Sequence, residues 1–132
     1  IVMEFVKGEN LQTYIDRHMT RSPTQPVPEL LSIMHQLTLA LVDLKEAGII
    51  HRDIKPANIM VCKVPGCDIP CCKLIDLGLC RRLYEGESVA MTHDSVSPIF
   101  SAPEKFQDIH PDGYDTGIDI WALGITLTQA SD

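Results

Sequence analysis

Apolar and polar positions change their period several times along the chain, and each change predicts an element. Residues 1–6, "IVMEFV", form a short run rich in β-branched and aromatic side chains, ended by Gly8, and predict a buried strand. Asn10 is placed to cap a helix carrying Leu11, Tyr14, Ile15 and His18 on one face. Three prolines in "TRSPTQPVP", residues 20–28, predict a loop. From Glu29 onward Leu30, Met34, Leu37, Leu41 and Leu44 recur at alternating spacings of four and three. That is the stripe of a long amphipathic helix, and Gly48 stops it. Two apolar runs, "NIMVC" (58–62) and "CKLID" (72–76), flank a Pro/Gly turn and predict a hairpin. Residues 78–101 keep no period and predict a long exposed loop, a length more usual for a functional segment than for a connection. Residues 116–130, "TGIDIWALGITLTQA", open on a capping Thr and are apolar nearly all round, which predicts a helix enclosed by protein mass beyond this chain.

Composition narrows the class without naming a function. A chain of 132 residues suffices for one modest domain, and 45% hydrophobic with 22% charged residues is ordinary for a globular protein. The net charge of -7 argues against a nucleic-acid surface, which needs clustered Lys and Arg. No apolar stretch approaches the roughly 20 residues of a membrane-spanning helix. The chain opens on a strand-like run without an initiator Met or a signal peptide, so both ends are expected to continue in a longer protein. Five cysteines, an odd number with no secretory signal, predict free thiols in a reducing, cytoplasmic compartment.

The segment from His51 to Gly78, "HRDIKPANIMVCKVPGCDIPCCKLIDLG", holds two candidate chemistries. Cys62, Cys67, Cys71 and Cys72 raise a zinc-binding interaction module. Their intervals of four, three and zero residues, with no His inside the segment, do not make two C-x-x-C knuckles, so thiols in an elongated turn are the better reading. The acidic and amide residues at the ends fit phosphoryl transfer better. Asp53 supplies a carboxylate to orient a hydroxyl, Asn58 and Asp76 supply hard oxygen donors for magnesium, and Lys55 adds a positive charge beside the base.

Spacing makes that set specific. "HRDIKPAN" matches H-R-D-x-x-x-x-N at every fixed position, and the chain resembles the middle of a eukaryotic protein kinase domain. "DLG" (76–78) resembles the DFG motif, "APE" (102–104) the end of the activation segment, and "DIWALG" (119–124) the start of the central helix of the large lobe. The resemblance implies an α+β, protein-kinase-like fold, mainly the helical large lobe. Residues 1–10 would be the last small-lobe strand and hinge, and residues 11–132 a large-lobe portion. It implies ATP and Mg2+ as cofactors and a protein substrate. Met3 would be the gatekeeper, the backbone of Glu4 and Val6 would meet adenine, Asn10 would lie near the ribose, and Leu11 and Met60 would sandwich the ring. Asp53 would be the base, Asn58 and Asp76 the metal ligands, and Arg52 the partner of a phosphorylated loop at Thr92, Ser95 or, less favourably, Ser88. His51 and Leu77 would stack in the regulatory spine.

"DIKPAN" and "SPIFSAPE" resemble the Ser/Thr-specific type, with Ser97 bridging Asp53 and Lys55. Three departures stand out. Asp53 and Asp76 are 23 residues apart, a few more than family members commonly have, with the surplus in "KVPGCDIPCC"; Leu77 replaces Phe; and Val96 stands where Gly is usual. The resemblance covers roughly half of a domain of about 250 residues. The Gly-rich loop and strand Lys are not among these residues, so a pseudokinase scaffold that acts by binding is the alternative to an enzyme.

Overall fold

The computed structural model describes residues 4–18, 27–87, 98–105 and 113–131. Met3, Ser88, Thr92, Ser95, Val96 and Ser97 lie outside the described residues. Strand β1 (Glu9–Asn10) leads into helix α1 (Leu11–His18), followed by α2 (Val27–Glu46) and β2 (Ile49–Ile50). Then come β3 (Ile59–Cys62), β4 (Cys71–Leu74), β5 (Arg81–Arg82) and α3 (Gly117–Ser131). A mixed helix-and-sheet arrangement of this kind is consistent with a partial kinase-like fold.

The Asn10 cap forms: its Oδ1 accepts from the Thr13 N–H at 2.9 Å, satisfying one of the open donors of α1. Leu11, Tyr14 and Ile15 are buried beneath it. His18 shares the face of Tyr14, its ring 4.6 Å from the Tyr14 ring, but is exposed at the helix end. Tyr14 donates its hydroxyl proton to Glu29 Oε1, tying α1 to α2.

Helix α2 begins two residues before the expected Glu29, at Val27–Pro28, because proline in the first turn gives up an N–H that has no intrahelical partner. The expected stripe faces inward. Leu37 and Leu41 are buried, Leu30 and Leu44 are partly buried against the same cluster, and Ile33 joins them. Gly48 ends the helix region with φ +66°, a conformation that costs glycine little.

The three-stranded sheet runs β1-β3-β4, all antiparallel. The expected hairpin is present as β3 and β4, in the register Ile59↔Leu74 through Cys62↔Cys71. The expected strand at residues 1–6 is corrected: its described part, Glu4–Val6, is not a strand, and pairing starts at Glu9. Apolar content does not make a strand without a neighbouring ladder to take its N–H and C=O groups, and among the described residues none lies beside Glu4–Val6. Gly8 marks where the chain meets the sheet, since a Cβ there would stand 2.3 Å from the Val61 carbonyl oxygen.

One core joins α1, α2, β3 and α3 through Leu11, Ile15, Ile33, Leu37, Ile54, Ile59, Val61 and Leu123. A smaller one holds Ile50, Ala102, Tyr114 and Ile118. The expected loop from Gly78 is not wholly loop. Arg81 and Arg82 pair with Ile50 and Ile49, and Leu83 N–H donates to the Gly48 carbonyl at 2.7 Å. At the start of α3 the first helical N–H, from Gly117, finds Asp115 Oδ1 at 2.7 Å, so Asp115 supplies the side-chain acceptor expected of Thr116. Ile120 and Trp121 remain exposed on α3 while Ile118, Ala122 and Leu123 are buried.

Candidate functional site

The connection from β2 to β3 carries His51, Arg52, Asp53, Lys55 and Asn58 through a 3-10 turn at Pro56–Asn58. Its backbone is set from a distance. Asp119, on the first turn of α3 and 3% exposed, accepts from the His51 N–H at 2.7 Å (Oδ2) and from the Arg52 N–H at 2.8 Å (Oδ1). Burial pushes the Asp119 carboxyl above its ordinary value, while the two backbone donors pull the other way. With both donors engaged, Arg52 adopts φ +70°, the left-handed region that bulky residues avoid. Its guanidinium reaches Leu79 O at 2.5 Å and Tyr114 Oη at 3.1 Å. Arg52 therefore joins the turn after Asp76 to the segment before α3.

Asp53 follows, 8% exposed and fully engaged. Lys55 Nζ lies 3.0 Å and 2.9 Å from its two carboxylate oxygens, and Asn58 Nδ2 donates to both Oδ2 and the Asp53 carbonyl at 2.8 Å. Two acceptors on Nδ2 fix which way the Asn58 amide points and turn its Oδ1 away from Asp53. His51 is completely buried, its Nε2 3.3 Å from Ile75 O and its Nδ1 accepting from the Asp53 N–H at 3.4 Å.

The second arm comes from β4. Ile75 N–H donates to the Asn58 carbonyl at 2.9 Å, extending the ladder by one pair and delivering Asp76 beside the loop. Asp76 sits at φ +63°, ψ +76°, exposed, with Oδ1 accepting from Gly78 N–H at 3.2 Å at the start of a 3-10 turn. Arg52 and Asp76 are, among the described residues, the two non-glycine residues with positive φ. Backbone strain of this kind costs about 1–3 kcal/mol per residue and persists where surrounding bonds over-determine it.

The expected site residues are placed differently from one another. Asp53, Lys55 and Asn58 are in direct contact, and Asp76 is joined to them through the Ile75–Asn58 bond. Asn10 is paired opposite Met60 across β1 and β3, Glu4 accepts from Lys73 Nζ at 2.5 Å, and Val6 is half-buried just before β1. Leu11 departs from the expected ring contact: it is 0% exposed in the core, whereas Met60 is only partly buried. Leu77 is 58% exposed, whereas His51 is buried. Met3 and Ser97 lie outside the described residues.

Asp119 is the functional position that residue-by-residue reading passed over. Its signal was present in "DIWALG", an acidic residue inside an otherwise apolar helix, but its partners stand 67 and 68 positions away. Among the described residues no group of three or more His, Cys, Asp or Glu side chains is arranged to hold a metal ion, and no helix is long and apolar enough to cross a membrane.

Comparison with known proteins agrees with this geometry. The protein kinase domain family model matches residues 1–131. The chain is 32% identical over 134 residues to serine/threonine-protein kinase unc-51 of Caenorhabditis elegans, covering 98% of this chain and 15% of that protein. It is 36% identical over 131 residues to serine/threonine-protein kinase ATG1a of Arabidopsis thaliana, covering 98% and 19%. With MAP kinase kinase mkk-4 of Caenorhabditis elegans identity is 40% over 103 residues, 74% of this chain and 26% of that protein. The chain therefore spans about a quarter or less of the length of these relatives. The ordered catalytic-loop geometry and the match over nearly its whole length establish that the chain belongs to the protein kinase domain family, as a partial domain.

Proposed function

We propose that this chain is the hinge-to-central-helix portion of a Ser/Thr protein kinase, and that the whole protein moves the terminal phosphoryl group of ATP to Ser or Thr hydroxyls of a protein. Residues 1–10 are the hinge side and residues 11–132 the large-lobe portion. The observation that carries the reading is the Asp53 carboxylate, buried and bridged by Lys55 and Asn58, with Asp76 brought alongside by β4. The names of unc-51 and ATG1a support the Ser/Thr class.

The donor set fits a magnesium nucleotide. Asn58 Oδ1 is turned away from Asp53 and Asp76 is an exposed carboxylate, two hard oxygen donors of the kind magnesium takes with water and phosphate oxygens. Asn58 and Asp76 would hold the magnesium of a magnesium nucleotide, which would supply neutralisation of the phosphate charge. Asp53 orients the substrate hydroxyl and receives its proton. Lys55 holds that carboxylate in place and adds positive charge where the transferred oxygens gather. Asn58 spans both functions, since one amide group positions Asp53 through Nδ2 and offers Oδ1 to the metal. Met60 supplies apolar surface beside the hinge for adenine.

The test is Asp53→Asn in the full-length protein, assayed for phosphate transfer to Ser/Thr substrates and for magnesium-ATP binding. Turnover should fall on the order of a hundredfold or more with nucleotide affinity retained. Unchanged transfer in the variant removes Asp53 from the chemistry. Nucleotide binding without transfer in the unmodified protein would establish a scaffold that signals by binding.

A further inference from the structure

The cysteine-rich tip of the β3–β4 hairpin contributes nothing to the proposed chemistry, yet its register is specific. Cys62 and Cys71 are direct partners across the antiparallel ladder, the last pair before the turn. Cys72 N–H points away from β3, donating to Gln36 Oε1 on α2 at 2.9 Å, so Val61–Cys72 is a non-hydrogen-bonded pair. Cys62–Cys71 is then a hydrogen-bonded pair, whose Cα atoms stand about 5.5 Å apart, inside the range of about 4.4–6.8 Å that disulfides span. Opposed residues of a ladder share a face. Cys62 and Cys71 therefore project together, and Cys71 contributes to raising the Cys62 thiol, after burial.

The other thiols are placed differently. Cys72 projects to the opposite face, packs against the core and is pushed up to about 12 by burial. Cys67 is exposed in the turn, its N–H bonded to Val64 O at 3.0 Å. All five cysteines are reduced in this structure.

We propose that Cys62 and Cys71 form a thiol–disulfide exchange site, closed into a cross-strand bridge by low-molecular-weight disulfides such as oxidised glutathione. The Cys71 thiolate attacks one sulfur of the oxidant, breaking its S–S bond and releasing one glutathione thiolate, which takes a proton. The Cys62 thiolate then attacks the Cys71 sulfur, forming the Cys62–Cys71 bond and expelling the second glutathione thiolate, which is protonated in turn. Two protein thiols are oxidised and one disulfide is reduced to two thiols. The bridge closes the turn of residues 63–70 at the end of the hairpin opposite Asn58 and Asp76, making the pairing of β3 with β4 covalent at its tip.

The test is incubation of the protein with oxidised glutathione, followed by proteolysis at lysines and at Asp68 and mass analysis. The expected product has lost two hydrogens and joins the peptide holding Cys62 to the one holding Cys71 and Cys72, with fragmentation locating the bond at Cys71. Cys67→Ser should form the same bridge in the same yield, and Cys62→Ser should stop at a glutathione adduct on Cys71. A bridge made mainly through Cys67 or Cys72 overturns the proposal, as do glutathione adducts in place of a bridge. The Cys67→Ser and unsubstituted proteins decide the question even if Cys62→Ser does not fold.

Discussion

Replacing Asp119 with alanine should unfasten the loop that carries Asp53. The substitution strands the His51 and Arg52 N–H groups, which now donate at 2.7 and 2.8 Å to a carboxylate that is 3% exposed. An orphaned buried donor costs about 1–3 kcal/mol, giving about 2–6 kcal/mol for the pair. Against this, the variant no longer buries the charge whose desolvation raises the Asp119 carboxyl, and Arg52 is released from φ +70°. The net loss expected is about 2–4 kcal/mol. With a urea slope of about 1.5 kcal/mol per molar, the unfolding midpoint should fall by about 1–3 M. Asp119→Asn keeps one acceptor and turns an amide N–H2 toward the other donor, so it should fall between the two. Hydrogen exchange reads the same event locally, with the His51 and Arg52 amides losing protection before the α2 amides do. A midpoint within about 0.3 M of the parent, with the Arg52 amide still protected, would refute the claim that Asp119 holds the loop.

Further outcomes follow from the packing. Gly8→Ala should destabilise the β1–β3 pairing by about 1–3 kcal/mol, because the new Cβ would lie 2.3 Å from a backbone oxygen that cannot move alone; an unchanged thermal midpoint contradicts this. Gln36→Ala removes the side chain that accepts from Cys72 N–H and donates to Pro70 O at 2.8 Å, and should cost about 1–2 kcal/mol and speed exchange of the Cys72 amide. Burial raises Cys72 to about 12 and Cys80 to about 11, so both should alkylate slowly while exposed Cys67 reacts first. A rise of about three units leaves Cys72 with roughly a thousandth of the thiolate, partly offset by its greater nucleophilicity, for a rate about 50-fold below a free thiol at pH 8. Because the folded-state value of Cys72 exceeds its ordinary 9.0, its contribution to stability is complete below pH 9 and is lost as pH rises toward 12. A Cys72→Ser variant with an unchanged loss of stability over that window would exclude this thiol as a contributor.

Much of the site was legible because its residues lie close in sequence. Asp53, Lys55 and Asn58 share one turn, and their mutual bonds follow from three side chains of fitting chemistry within six positions. Helix α2 was legible because a stripe of leucines has one physical meaning at that period. The misreadings share a cause, which is dependence on a distant partner. Glu4–Val6 has strand-like composition but, among the described residues, no ladder beside it. The role of Asp119 required knowing that the first turn of α3 packs under His51. Thr116 differs for a smaller reason, losing its cap to the preceding Asp115.

The Gln36 contact also bears on how this protein keeps to itself. Among the described residues β4 is an edge of its sheet, and an edge strand offers unpaired N–H and C=O groups to any passing chain. Gln36 gives Cys72 N–H an acceptor and Pro70 O a donor, the two bonds that a neighbouring strand residue would otherwise make. One helical amide thus fills the place of a fourth strand, and α2 lies over the rim that another copy would need for sheet extension. On this account the rim of β4 stays unavailable to self-association for as long as α2 remains docked.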